Sequence, residues 1–249
     1  MRGMISSLAT VLPYAVAPVV AASVSGAVAA FHAPSDRLRS VIEHVAAGVV
    51  LAAAAVEVIP TALGLHHPWG LIGGFALGIV LMLGVQTLNE RMARPGEGTE
   101  GTEGAPGPLG LIVTIGIDLL IDGLLLGVVS AQGAKGGLLL GVAYTIEMVS
   151  LGLATAAELG QVTASRARQI VVTSGLALVF LLGAVVGVLL LGGLSGATLA
   201  GFYGGGAVVL LYLAAEELLS EAHEVRETVW ATATFLGGFL VLLVVDTLS

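Results

Sequence analysis

The chain has 249 residues, of which 57% are hydrophobic, 10% charged and 5% aromatic, with a formal net charge of −8 and a mean hydropathy of +1.03. A soluble domain carries about 25% charged residues, so this composition excludes a soluble globular protein. Cysteine is absent, which removes disulfides, thiolate metal sites and cysteine catalysis.

A bilayer core of about 30 Å needs roughly 20 apolar residues per helix. Such stretches fall at 8–31, 40–64, 69–91, 109–131, 137–159, 169–192, 198–219 and 228–248. The expected fold is therefore an all-α integral membrane bundle of eight transmembrane helices in a single domain, 1–249. The 36 glycines suit closely packed transmembrane helices, because small residues let backbones approach. The first stretch is longer than the apolar core of a signal peptide and is read as a true span. A Gly/Pro/Glu-rich linker at about 92–108 separates three helices from five, and it cannot bury a core.

Orientation follows from the basic residues. With both termini outside, the inner loops hold Arg37, Arg39, Arg91, Arg94, Arg166, Arg168 and Arg226, and the outer side holds Arg2 and Lys135. That distribution obeys the positive-inside rule. A bacterial inner (plasma) membrane is the expected location. The partner this implies is the lipid bilayer, with a homodimer left open. Nine basic residues without a clustered face exclude a nucleic-acid role.

An internal repeat runs through the second and seventh spans. Ala54-Ala55-Val56-Glu57-Val58-Ile59-Pro60-Thr61-Ala62 aligns with Ala214-Ala215-Glu216-Glu217-Leu218-Leu219-Ser220-Glu221-Ala222. The two spans cross in opposite directions, and an inverted repeat is a common transporter architecture with its substrate site near the midplane.

The fourth span places Asp118 and Asp122 near its centre, four residues apart and so on one face. Each costs about 2.5–3.5 kcal/mol at a helix centre. The fifth span places Glu147 at a similar depth. Three carboxylates at one depth on adjacent helices make an oxygen-rich pocket for a divalent cation; the competing reading is protonated acids hydrogen-bonded within the bundle. Asp118-x-x-x-Asp122-Gly123 parallels Glu147-x-x-x-Leu151-Gly152, and Gly123 and Gly152 are expected to let the fourth and fifth helices approach each other.

Further polar residues trace a route. Glu57 lies near the outer end of the second span. Glu43 and His44 lie at its inner start, and Glu216, Glu217, Glu221, His223 and Glu224 at the inner end of the seventh. Glu57, Glu217, His44 and His223 are the candidate pathway ligands, since imidazole and carboxylate together suit zinc and other first-row metals. Asp246 lies at the outer end of the eighth span. His66 and His67 read as an outer loop, and His32 is assigned nothing.

With these residues in place, the chain resembles the ZIP (Zrt/Irt-like) family of divalent metal transporters. The second span, from Glu43-His44 to Glu57-Val58-Ile59-Pro60, and the seventh, Tyr212 to His223, carry the resemblance, as does the three-loop-five arrangement. The family signature is His-Asn-x-x-Glu-Gly in the fourth helix, and His or Gln followed four residues later by Glu-Gly in the fifth. Asp118 falls on the His position, Leu119 on Asn, Asp122 on Glu and Gly123 on Gly. Glu147 falls on His/Gln, Met148 on the polar position after it, Leu151 on Glu and Gly152 on Gly. The resemblance implies one site built by Asp118, Asp122 and Glu147. It does not imply two, because Leu119, Met148 and Leu151 cannot supply the second set of ligands. The linker also lacks the histidines common in the family's variable loop.

Carboxylate in place of imidazole makes the site harder and lowers its preference for zinc against manganese, iron(II) or even magnesium. Three carboxylates against one divalent ion leave a charge in excess, which keeps proton coupling open. The expected function is transport of zinc, manganese or iron(II) into the cytoplasm, with no resident cofactor, by rocking spans 1–3 and 6–8 around spans 4 and 5. The alternatives are a cation or proton channel and a non-transporting membrane protein. An intramembrane hydrolase fits worst. His-Glu-x-x-His is absent, and Gly193-Leu194-Ser195-Gly196 lies in an outer turn, so the chain is not expected to be an enzyme.

Overall fold

A chain with this much apolar sequence and so few turn residues has one economical way to satisfy its backbone in lipid, namely hydrogen-bonded helix. The computed structural model describes residues 2–93, 108–222 and 229–249, and all its regular elements are helical. They are α1 (Arg2–Phe31), α2 (Asp36–Gly64), α3 (Pro68–Ala93), α4 (Pro108–Gln132), α5 (Ala134–Val162), α6 (Arg166–Leu191), α7 (Gly196–Leu218, continued by Leu219–Ala222) and α8 (Val229–Leu248). All eight are long and apolar enough to cross a membrane. Most of the expected linker, 94–107, lies outside the described residues.

Local chemistry sets the helix starts. Ser35 and Ser165 stand in extended conformation before α2 and α6, and their hydroxyls accept from the backbone N–H of Leu38 and Arg168. Such caps satisfy amides that the first turn leaves without a partner. Pro68 opens α3, where its missing N–H costs nothing. His66 and His67 occupy the turn between α2 and α3 and are exposed, as expected. The chain's two tryptophans stand almost fully exposed at the first turns of α3 and α8, as Trp69 and Trp230. Large apolar side chains such as Leu77, Val80, Leu236 and Leu240 line the same two helices outward. Exposed apolar surface of this extent is what lipid contact requires, and tryptophans near span ends are typical of membrane–water interfaces.

The helices pack in two groups. In one, α1 lies along α5 and α6, α4 lies along α6, and α4 and α5 touch. In the other, α3 lies along α7, α2 along α8, and α2 meets the end of α7. The principal seam between the groups is α2 on α5. The expected division into spans 1–3, 4–5 and 6–8 is thus not how the molecule packs: α1 belongs with α5 and α6, and α3 with α7.

The glycine expectation also needs correction. A methyl group on Gly123 would stand 3.0 Å from Gly183 Cα and run into the Phe180 carbonyl, so Gly123 admits α6. A methyl group on Gly152 would collide with Ala22 and Ser25 of α1. Both glycines serve the contact with an outer neighbour, not the approach of α4 to α5. The spacing was right about close packing but carried no information on which partner fills the notch.

Both copies of the sequence repeat depart from α-helical winding at the same place. Ala54–Val58 and Leu213–Leu218 are π-helical stretches. One closes with Ile59 N–H donating to Ala54 O, the other with Leu219 N–H donating to Ala214 O. These are matching residues of the alignment. In α2, Pro60 follows directly; it has no N–H to donate and its ring clashes with the carbonyl four residues back, so the wider turn relieves a conflict. Leu219-Ser220 holds no proline, and the π stretch there has no such local cause.

Candidate metal centre

Asp118 and Asp122 point from one face of α4, and Glu147 meets them from α5. Ligand oxygens of the three carboxylates lie within 4.8 Å of one another. Asp122 is fully buried and Glu147 nearly so, while Asp118 is half-buried. The three residues expected from the sequence therefore do come together.

The hydrogen bonding around them is incomplete. Tyr144 Oη donates to Asp122 Oδ1 at 3.1 Å. Asp122 Oδ2 and Glu147 Oε2 are buried with no partner. The charged groups acting on Asp122 are Asp118 and Glu217, and those acting on Glu147 are Asp122, Asp118 and Glu217. Burying an ionised carboxylate costs several kcal/mol unless it is paired. Here the electrostatic neighbours are themselves acidic, so the cluster is relieved either by protonation or by a cation among the oxygens. Leu119 and Met148 are buried apolar side chains and Leu151 is half-buried, packed against the core.

The other candidates lie outside this cluster. Glu57 sits half-buried within the first π stretch, where the Thr61 hydroxyl donates to it at 3.5 Å. It lies beside Gly136 at the start of α5, in the field of Asp246 and Lys135. Those two form an ion pair at 3.0 Å. Glu217 sits half-buried in the second π stretch, closer to the cluster electrostatically than Glu57.

His44 is buried, and its Nδ1 lies 2.7 Å from Ser40 O. A carbonyl at that distance makes Nδ1 the protonated nitrogen, so a metal would be taken through Nε2. The Ser40 hydroxyl donates to Ala222 O at 2.8 Å and ties the start of α2 to the end of α7. Glu43 is buried against Arg39, which donates to it at 2.6 Å. Glu43 is thus an ion-pair partner. Glu216 is exposed. His223 and Glu224 lie outside the described residues, as does the side chain of Glu221.

Tyr144 escaped the sequence reading. It stands three residues before Glu147 and so shares its face of α5. A tyrosine in mid-span also needs a partner for its hydroxyl. Those two facts together were signal enough.

The fold and the cluster define a multi-pass helical membrane protein with three carboxylates brought together between α4 and α5. A scan against protein-family models found none that matches the chain, and a search of curated proteins found no match either. The resemblance to the ZIP family therefore rests on the residues quoted above.

Proposed function

We propose that this protein is a divergent ZIP-like transporter that carries a divalent first-row cation across the membrane into the cytoplasm. The observation that carries the reading is the junction of Asp118, Asp122 and Glu147 within 4.8 Å, with a buried, partnerless oxygen on each of Asp122 and Glu147. Intramembrane ionisable groups facing one another mark ion pathways. An all-oxygen donor set favours harder ions, so manganese and iron(II) suit it better than zinc. The cation comes in past Glu57, rests at the cluster, and leaves past Glu217, His44 and His223.

An inverted repeat is the architecture that fits this route. Exchanging α1 with α6, α2 with α7, α3 with α8 and α4 with α5 turns the α1–α5 contact into α6–α4, and the α2–α8 contact into α7–α3. The matched π stretches and the opening tryptophans of α3 and α8 follow the same exchange. Alternating access then moves α1, α4, α5 and α6 against α2, α3, α7 and α8 along the α2–α5 seam.

The test is Asp122→Ala. Uptake of manganese into cells or vesicles is expected to fall to background while the protein still reaches the membrane. Undiminished accumulation in that variant defeats the reading.

A further inference from the structure

The Tyr144 hydroxyl has a role that the ligand set alone does not assign. Tyr144 is fully buried, and its ring meets Phe180 of α6 edge to face, with centroids 5.3 Å apart and planes at 70°. Phe180 is itself fully buried, and its backbone carbonyl stands in the notch at Gly123, one residue from Asp122. The ring of Tyr144 therefore has little freedom, and its hydroxyl is delivered to Asp122 Oδ1 at 3.1 Å. That bond engages one oxygen of Asp122, while the other, Oδ2, is buried and has no partner.

Carboxylate geometry discriminates between cations by size. Calcium takes about 6–8 oxygens at about 2.3–2.6 Å and uses two-oxygen carboxylates to reach that number, whereas smaller divalent ions take fewer ligands at shorter distance. We propose that Tyr144 is a specificity-determining positioning residue: by engaging Oδ1 it holds Asp122 to one-oxygen ligation and biases the pocket against calcium-sized ions in favour of smaller ones such as manganese. This rests on the cation site proposed above.

The experiment measures binding of manganese alone and of calcium alone to the purified full-length protein by titration calorimetry, for the wild type and for Tyr144→Phe. The phenylalanine keeps the ring against Phe180 and removes only the hydroxyl. The calcium-to-manganese affinity ratio is expected to rise by about tenfold, the low end for losing a hydrogen bond to a charged acceptor. Should Tyr144→Phe fail to purify as a single species, Phe180→Leu loosens the same ring and is expected to move the ratio in the same direction. An unchanged ratio in the well-behaved variant, including a proportional loss of both affinities, overturns the inference and leaves the site standing. A wild-type protein that binds neither ion overturns the site itself, and the inference with it.

Discussion

Glu57 and Glu217 occupy matching places in two segments of like sequence, each inside a π stretch closed by the same hydrogen bond, yet their surroundings diverge. Glu57 stands by the start of α5, among Thr61, Gly136 and the Lys135–Asp246 pair. Glu217 stands near the other end of α2, where Ala222 binds Ser40, and its charge reaches Asp122 and Glu147. A π turn re-aims the side chains within it by adding a residue to the turn, which is why such turns gather at functional positions. The same backbone device thus places one carboxylate beside an ion pair and another beside an acidic cluster. Local sequence builds the turn; the neighbouring helices decide what its glutamate meets.

The contrast can be broken experimentally. Glu217→Gln removes a negative charge that acts on the cluster, and is expected to weaken manganese binding by about tenfold, the scale of a charge acting over several ångströms inside a protein; calorimetry on the purified variant reads this directly. If binding is unaltered, Glu217 has no part in the site. Glu57→Gln is expected to leave that binding constant within about twofold and to slow uptake by about threefold at low cation concentration, since an approach residue governs rate more than affinity. A variant whose binding constant collapses instead would make Glu57 a ligand and erase the contrast. The smallest effect belongs to Lys135→Ala. Its ion pair with Asp246 is partly solvent-exposed, and pairs at the surface contribute about 0–1 kcal/mol. Thermal unfolding should shift by only a few degrees, with manganese affinity unchanged.

What could be read from the residues alone was what composition and helical geometry impose. Eight spans were legible because each must be apolar over about 20 residues to lie in lipid, a requirement written locally. Asp118 and Asp122 shared a face because helices repeat every 3.6 residues, and Glu147 matched their depth by counting along its own span. The repeat was legible as letters, and the π turns within it surfaced only in three dimensions. Rotation about each helix axis and the choice of neighbours were decided by tertiary packing. Gly123 was expected to face α5 and faces α6; Gly152 was expected to face α4 and faces α1. His44 read as a pathway imidazole, and the Ser40 carbonyl then claimed one of its nitrogens. Tyr144 meets Asp122 only because Phe180 holds its ring. The physical reason is common to all of these. Hydrophobicity says that a helix must be in the membrane, but in lipid it exerts little pull between one helix and another. Partner and rotation follow from shape: notches, ring edges and hydrogen bonds that exist only when two helices are already side by side.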